Sequence, residues 1–214
     1  MKKILVLLSV FTLAFTSHLQ AAAGIFGGYV GISANTAPIS WFNLNNGFTN
    51  PGAGNFAGAN LGSYNLTLGN TLSLAGAESL TFKNGGSNVT GTALNYRIYP
   101  TGAPTGSFVP EARGFTANAT FADAAGNSFS GAGDQKWAGN AGATIPVNLL
   151  SGLSNGNYTL EVFLSGTTST DGPIFRNAGG TNFAGTFTVV PEPSSLALIG
   201  LGSLVMVRMF RRRA

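Results

Sequence analysis

The tightest constraint on this chain is a period of two. In Tyr158-Thr159-Leu160-Glu161-Val162-Phe163-Leu164 the residues Tyr158, Leu160, Val162 and Leu164 occupy alternate positions. Successive side chains of an extended strand point to opposite faces, so the pattern specifies a strand with one dry face and one wet face. Similar alternation groups Phe115, Ala117, Ala119 and Phe121, then Leu94, Tyr96 and Ile98, then Phe183, Phe187 and Val189, and it continues through Leu66, Leu68, Leu72, Leu74, Leu80 and Phe82. Between these runs stand Asn84-Gly85-Gly86, Ala125-Gly126-Asn127 and Asn155-Gly156-Asn157, where Gly and Asn take positive φ at little cost. Short strands separated by such turns predict an all-β fold, a single β-sandwich over residues 24–189. No sustained helical periodicity interrupts that stretch, and no fixed-period repeat is present.

Charge narrows the partners. The chain of 214 residues has a pI near 9.7, a value that suggests nucleic acid or anionic lipid until the basic residues are located. Lys2, Lys3, Arg208, Arg211, Arg212 and Arg213 all lie in the terminal segments. Between Gly24 and Val190 five basic residues (Lys83, Arg97, Arg113, Lys136, Arg176) face six acidic ones (Glu78, Glu111, Asp123, Asp134, Glu161, Asp171). A basic nucleic-acid footprint is therefore absent from the domain. Charged residues make up only 8% of the chain, against the low hydrophobicity and high net charge that disorder requires. There is no cysteine, hence neither a disulfide framework nor a thiolate metal site.

The two ends are apolar and differently built. Met1-Lys2-Lys3 supplies a positive start, Ile4 to Phe15 an apolar run, and Ala21-Ala22-Ala23 small residues before Gly24, the order of a secretory signal peptide. Residues 1–23 are read as that signal, with Ala21 and Ala23 framing a cut after Ala23. The only histidine, His18, falls in the removed part. At the other end, Val190-Pro191-Glu192-Pro193-Ser194-Ser195 precedes an apolar run from Leu196 to Val207 and then Arg208-Met209-Phe210-Arg211-Arg212-Arg213-Ala214. Prolines at alternate positions hold the segment extended and present Glu192, and Ser194 or Ser195 can cap a helix starting near Leu196. From Leu196 to Phe210 such a helix is about 22 Å long, short for a bilayer, with Arg208, Arg211, Arg212 and Arg213 as a cytoplasmic stop.

Motif, short helix and terminal Arg cluster together resemble the PEP-CTERM sorting domain, which would occupy residues 190–214. The resemblance implies recognition of Pro191, Glu192 and Pro193 by an exosortase, a membrane cysteine transpeptidase-like enzyme, in a Gram-negative-type bacterium that makes extracellular polysaccharide. It also implies Sec export, a transient inner-membrane anchor through the C-terminal helix, and a final place at the cell surface or in the extracellular matrix. Separately, Leu150 to Leu160 is similar to the turn-and-strand phrase of bacterial extracellular Ig-like modules, so the sandwich is expected to be Ig-like or jelly-roll-like.

Chemistry finds little purchase. Serine and cysteine hydrolases need a base near the nucleophile, normally His, and zinc sites need ligands that the mature chain lacks. The six domain carboxylates are expected as solvated surface charge, Glu161 on a wet strand face and the rest in turns. Asp123 with Asn127, or Asp134 in Gly133-Asp134-Gln135, offers too few acids for a calcium loop and reads as turn-forming. Trp41, Trp137, Tyr29 and Tyr99 could stack on sugar rings if exposed, although the core is the commoner place for aromatics. Asn65, Asn88, Asn118 and Asn157 each open an Asn-x-Thr triplet, a pattern an Asn- and Thr-rich chain meets by chance. The expectation is an exported non-enzymatic surface or matrix protein without cofactor or metal, structural or adhesive in a polysaccharide matrix. The alternative is a carbohydrate-binding module of the cell surface, with extracellular polysaccharide as its partner.

Overall fold

The computed structural model describes residues 22–45, 52–142 and 145–191. The expected signal peptide and C-terminal helix lie outside the described residues. Within them the strands are β1 (Gly24–Ala34), β2 (Ser40–Asn43), β3 (Gly54–Asn55), β4 (Asn60–Asn65), β5 (Leu72–Phe82), β6 (Val89–Pro100) and β7 (Val109–Asn118). There follow β8 (Phe121–Ala122), β9 (Ser128–Phe129), β10 (Asp134–Asn140), β11 (Val147–Asn148), β12 (Gly156–Thr168), β13 (Pro173–Arg176) and β14 (Phe183–Val190). A single 3-10 turn, Ala178–Gly180, is the only helical element among the described residues. The described residues are all-β, as their alternation predicts.

The expected sandwich takes a particular form: a single curled sheet, a half-barrel, in place of two separate sheets. Its strand order is β3-β2-β1-β5-β10-β7-β6-β12-β14-β4, with β11 added on β5 and β13 on β12. Three strands separate β5 from β12 along this path. Even so, Val30 and Ile32 of β1 and Leu72, Leu74 and Ala77 of β5 share one core cluster with Leu160, Val162 and Leu164 of β12 and Phe183, Phe187 and Val189 of β14. Only a sheet that bends over on itself brings those side chains together. Leu44, Phe56, Leu149 and Leu150 close the same cluster from the loops.

The bend depends on missing side chains. A Cβ on Gly28 would stand 2.2 Å from Leu164 Cδ1 and 2.7 Å from the Glu78 carbonyl oxygen, so β12 reaches β1 only because residue 28 is glycine. On the other face, a Cβ on Gly76 would stand 2.6 Å from the Trp41 ring, which lies across the β1–β5 pair. That outer face carries a second small core of Tyr29, Leu80 and Phe121, with Phe26, Trp41 and Phe129 packed on it. The β8–β9 hairpin contributes Phe121 and Phe129, whose rings stack 5.5 Å apart. As a result β5 is dry on both sides from Gly76 to Thr81.

Two departures from simple alternation have local causes. The β1–β5 register slips between Gly31 and Ile32, which pair with Gly76 and Leu74 and leave Ala75 unpaired. One extra residue inverts the parity of a strand, so Leu74 enters the main core while Leu80 joins the outer one. Likewise the run from Phe115 to Phe121 is not one strand. Ala119 adopts φ 62°, ending β7 at Asn118, and Phe115 is left 51% exposed while Phe121 is buried. Leu66 and Leu68 stand in the turn after β4 and are exposed.

The steric argument at residue 28 is directly testable. Gly28→Ala should destabilise the domain by about 1–3 kcal/mol through overpacking. Gly86→Ala, where a Cβ meets nothing within 4 Å, should stay within about 0.5 kcal/mol of the parent in urea unfolding.

Candidate functional site

The last strand leads straight into the sorting segment. Phe183, Phe187 and Val189 of β14 are buried, and the strand is held between β12, antiparallel, and β4, parallel. Val190 pairs with Asn65. Pro191 has no N–H to continue the ladder, and it is exposed. Its carbonyl accepts a hydrogen bond from Asn65 Nδ2 at 3.3 Å. Asn65 is only 6% exposed and is anchored in turn: its Oδ1 accepts from the Thr67 N–H at 3.0 Å and the Thr67 hydroxyl at 2.7 Å. The amide that opens the Asn65-Leu66-Thr67 triplet is thus committed to holding the end of the domain. Glu192, Pro193 and the stop residues Arg208, Arg211, Arg212 and Arg213 lie outside the described residues, as does Ala21.

Four of the six domain carboxylates overturn the expectation of solvated surface charge, while Asp171 is exposed as expected and Asp134 is half-buried. Glu78, Glu111, Asp123 and Glu161 are 2%, 2%, 5% and 6% exposed. Glu78 pairs with Lys136 at 2.8 Å and accepts the Ala124 N–H at 3.0 Å. Burial raises its pKa, and these two partners only partly offset that. Asp123 accepts from the Tyr29 hydroxyl at 2.5 Å and from the Ala125 and Asn127 N–H groups at 2.9 and 2.8 Å, closing the β8–β9 turn and tying it to β1. This is the turn-forming role expected of it. The burial was hidden from alternation because the unpaired Ala75 turns Glu78 to the outer face of β5 together with Leu80, and the β8–β9 hairpin lies over that face.

Glu161, central in β12, is held by strands on either side. Arg97 in β6, its register partner, donates from Nε at 2.9 Å and reaches it again from its terminal nitrogen at 2.8 Å. Asn182, just before β14, donates to the other oxygen at 2.6 Å. Burial would raise the Glu161 pKa, but Asn182, Arg97 and the neighbouring Tyr99 more than reverse this and hold it below the ordinary carboxylate range. The guanidinium of Arg97 also lies 4.5 Å from the centre of the Phe108 ring and 5.2 Å from that of Tyr99.

Those rings continue as an aromatic strip on the outside of the sheet. Phe108 meets Phe163 edge to face at 4.9 Å, and Phe163 meets Phe175 at 6.3 Å. Phe175, 54% exposed, walls a shallow groove of about 380 Å³ floored by Gly91, Ala93, Ser165 and Thr167. Of the aromatics singled out in the sequence, Tyr29 and Trp137 are buried, Trp41 lies against Gly76, and Tyr99 alone borders this strip. Phe163 was legible only as the wet-side neighbour of Val162. Phe108 and Phe175 belong to no alternating run. Among the described residues no group of three His, Cys, Asp or Glu is placed to hold a metal, and no helix is long and apolar enough to cross a membrane.

The last strand of the β-domain runs without a linker into the Pro-Glu-Pro segment. A family model described as the PEP-CTERM protein-sorting motif matches residues 189–213. The chain accordingly carries a PEP-CTERM sorting motif at its end, which marks an exported protein and implies exosortase-dependent sorting with the exosortase as processing partner. No curated protein and no solved structure matches the chain. The match covers the tail and the end of β14, so it speaks to destination and not to the work of the β-domain.

The depressed pKa of Glu161 has a sign that can be read out. A carboxylate held below its unfolded value stabilises the fold above that value, about 4.3, and loses the contribution as pH falls through the folded pKa. Glu161→Gln should therefore cost on the order of 1 kcal/mol at pH 7, and the gap to the parent should close in unfolding curves taken below about pH 4.

Proposed function

We propose that this protein is a non-enzymatic structural or adhesive component of the cell surface or extracellular polymer matrix, delivered by Sec export and processed at Pro191-Glu192-Pro193 by an exosortase. The single observation that carries the reading is the sorting motif at residues 189–213, continuous with the final strand of the domain. Supporting it, Glu78, Asp123 and Glu161 are each tied into the scaffold by ion pairs or hydrogen bonds to neighbouring strands and turns. The membrane holds the protein only through the tail, until that tail is processed.

A second reading is favoured by the aromatic strip. Phe175 stands opposite Ser165 in the β12–β13 ladder, and Arg97 lies over the rings of Phe108 and Tyr99, so apolar ring faces and polar side chains alternate along the outside of the sheet. Carbohydrate-binding modules use that combination, since a sugar offers both an apolar face and a rim of hydroxyls. The matrix polysaccharide of the producing bacterium is the ligand this reading names.

Three measurements separate the outcomes. Replacing Pro191, Glu192 and Pro193 by alanine in a host with an active exosortase should leave the full tail on the protein by intact mass, whereas the parent loses it. The parent should be recovered from envelope or matrix fractions; its absence from both overturns the structural reading. Loss of polysaccharide retention on affinity gels in Phe175→Ala would establish the second reading, and equal mobility of parent and variant with and without polysaccharide would remove it.

A further inference from the structure

The start of the domain is built into the fold one residue earlier than the small-residue pattern suggests. Ala23 precedes β1 and is only 3% exposed, while Ala22 next to it is exposed. The Ala23 methyl packs with Val89 and Trp137, and Ile174 lies against the same cluster. Its nitrogen donates to Asp171 Oδ2 at 2.9 Å, joining the chain start to the loop between β12 and β13 across 148 residues of sequence. Ser87, 6% exposed, stands by the same carboxylate with its Oγ outside hydrogen-bonding geometry to any partner. The Ser87 hydroxyl first, and the Ala23 N–H second, favour the ionised form of Asp171 and lower its pKa. An exposed carboxylate, a buried hydroxyl that stands beside it outside strict hydrogen-bonding geometry, and a main-chain nitrogen thus meet at one place. A single amide N–H uses one acceptor there; an α-ammonium has three donors.

We propose that Asp171 and Ser87 form a receptor for the N-terminus of the mature chain, and that the leader is removed ahead of Ala23, so that the exported protein begins at Ala22 or Ala23. The inference rests on the reading of the protein as exported. In the step itself water adds across the Ala21–Ala22 or the Ala22–Ala23 peptide bond, leaving a carboxylate on the leader and an α-ammonium on the domain. A start at Ala23 places that ammonium on Asp171 as an ion pair; a start at Ala22 keeps the amide bond described above. The Ala21-x-Ala23 spacing alone puts the cut after Ala23. That cut would strip a buried side chain from the Val89–Trp137 cluster and leave Asp171 without its main-chain partner.

The test expresses the full chain with its own leader and tail in a Gram-negative host and determines the N-terminus of the envelope-purified protein by intact mass and N-terminal sequencing. A chain starting at Ala22 or Ala23 is expected. A start at Gly24 overturns the proposal and leaves the export reading standing; an uncut Met1 overturns both. Asp171→Ala supplies the second measurement, since it is distant from the sorting motif in sequence and leaves the leader intact. It should lower the thermal midpoint of the purified protein, and an unchanged midpoint would show that the carboxylate is no anchor.

Discussion

Everything in this domain depends on how closely β1 and β12 approach across the main core. Leu164 occupies the space in which residue 28 would carry a side chain, and that contact closes a sheet whose neighbours are otherwise only hydrogen-bonded in a row. Interiors are packed to near crystalline density, so a methyl group at that contact separates two walls and not merely two atoms. The glycines of β1 are therefore not a concession to flexibility. They let large residues on β2, β5 and β12 serve as the filling, with the β1 backbone as the wall behind them.

A sheet dry on its concave side and partly covered on its convex side must bury charge, because its strands still carry the polar alternation of a two-faced sheet. The chain resolves this by pairing across strands. Lys136 of β10 meets Glu78 of β5, Arg97 of β6 meets Glu161 of β12, and the Tyr29 hydroxyl meets Asp123. Each link joins segments distant in sequence and fixes their register, a role distinct from net stabilisation, for which buried ion pairs are weak contributors. With five basic and six acidic residues between Gly24 and Val190, the domain commits a large share of its charge to internal alignment.

The fold class was legible in the sequence because period two survives wherever a strand keeps one face to the core, as in β12, where Tyr158, Leu160, Val162 and Leu164 are all buried. The bulge opposite Gly31, which splits Leu74 from Leu80, was not legible, because one unpaired residue leaves no mark on composition. Nor was the burial of Glu78 and Asp123, since the β8–β9 hairpin that carries Asp123 and lies over Glu78 has only two residues per strand. The sorting tail was legible because its signal is contiguous. The Arg97–Glu161–Asn182 group and the aromatic strip were not, since β6, β12 and the approach to β14 bring them together only after pairing.

The parallel pairing of β4 with β14 has a consequence for timing. β4 has one partner in the sheet order, and that partner is the last strand of the domain; Asn65 and Pro191, joined by a hydrogen bond, are 126 residues apart. On the proposed Sec route, threading from the N-terminus carries β4 into the exterior long before β14 follows. Throughout that interval β4 is a strand with its ladder unfilled, and the core residues Leu61 and Tyr64 wait for Phe183, Phe187 and Val189 to cover them. The residues that complete the sheet adjoin the sorting motif, with no spacer between them. Closure of the domain and delivery of its address label are thus a single event, and a chain stalled before its final strand is both unlabelled and unfinished.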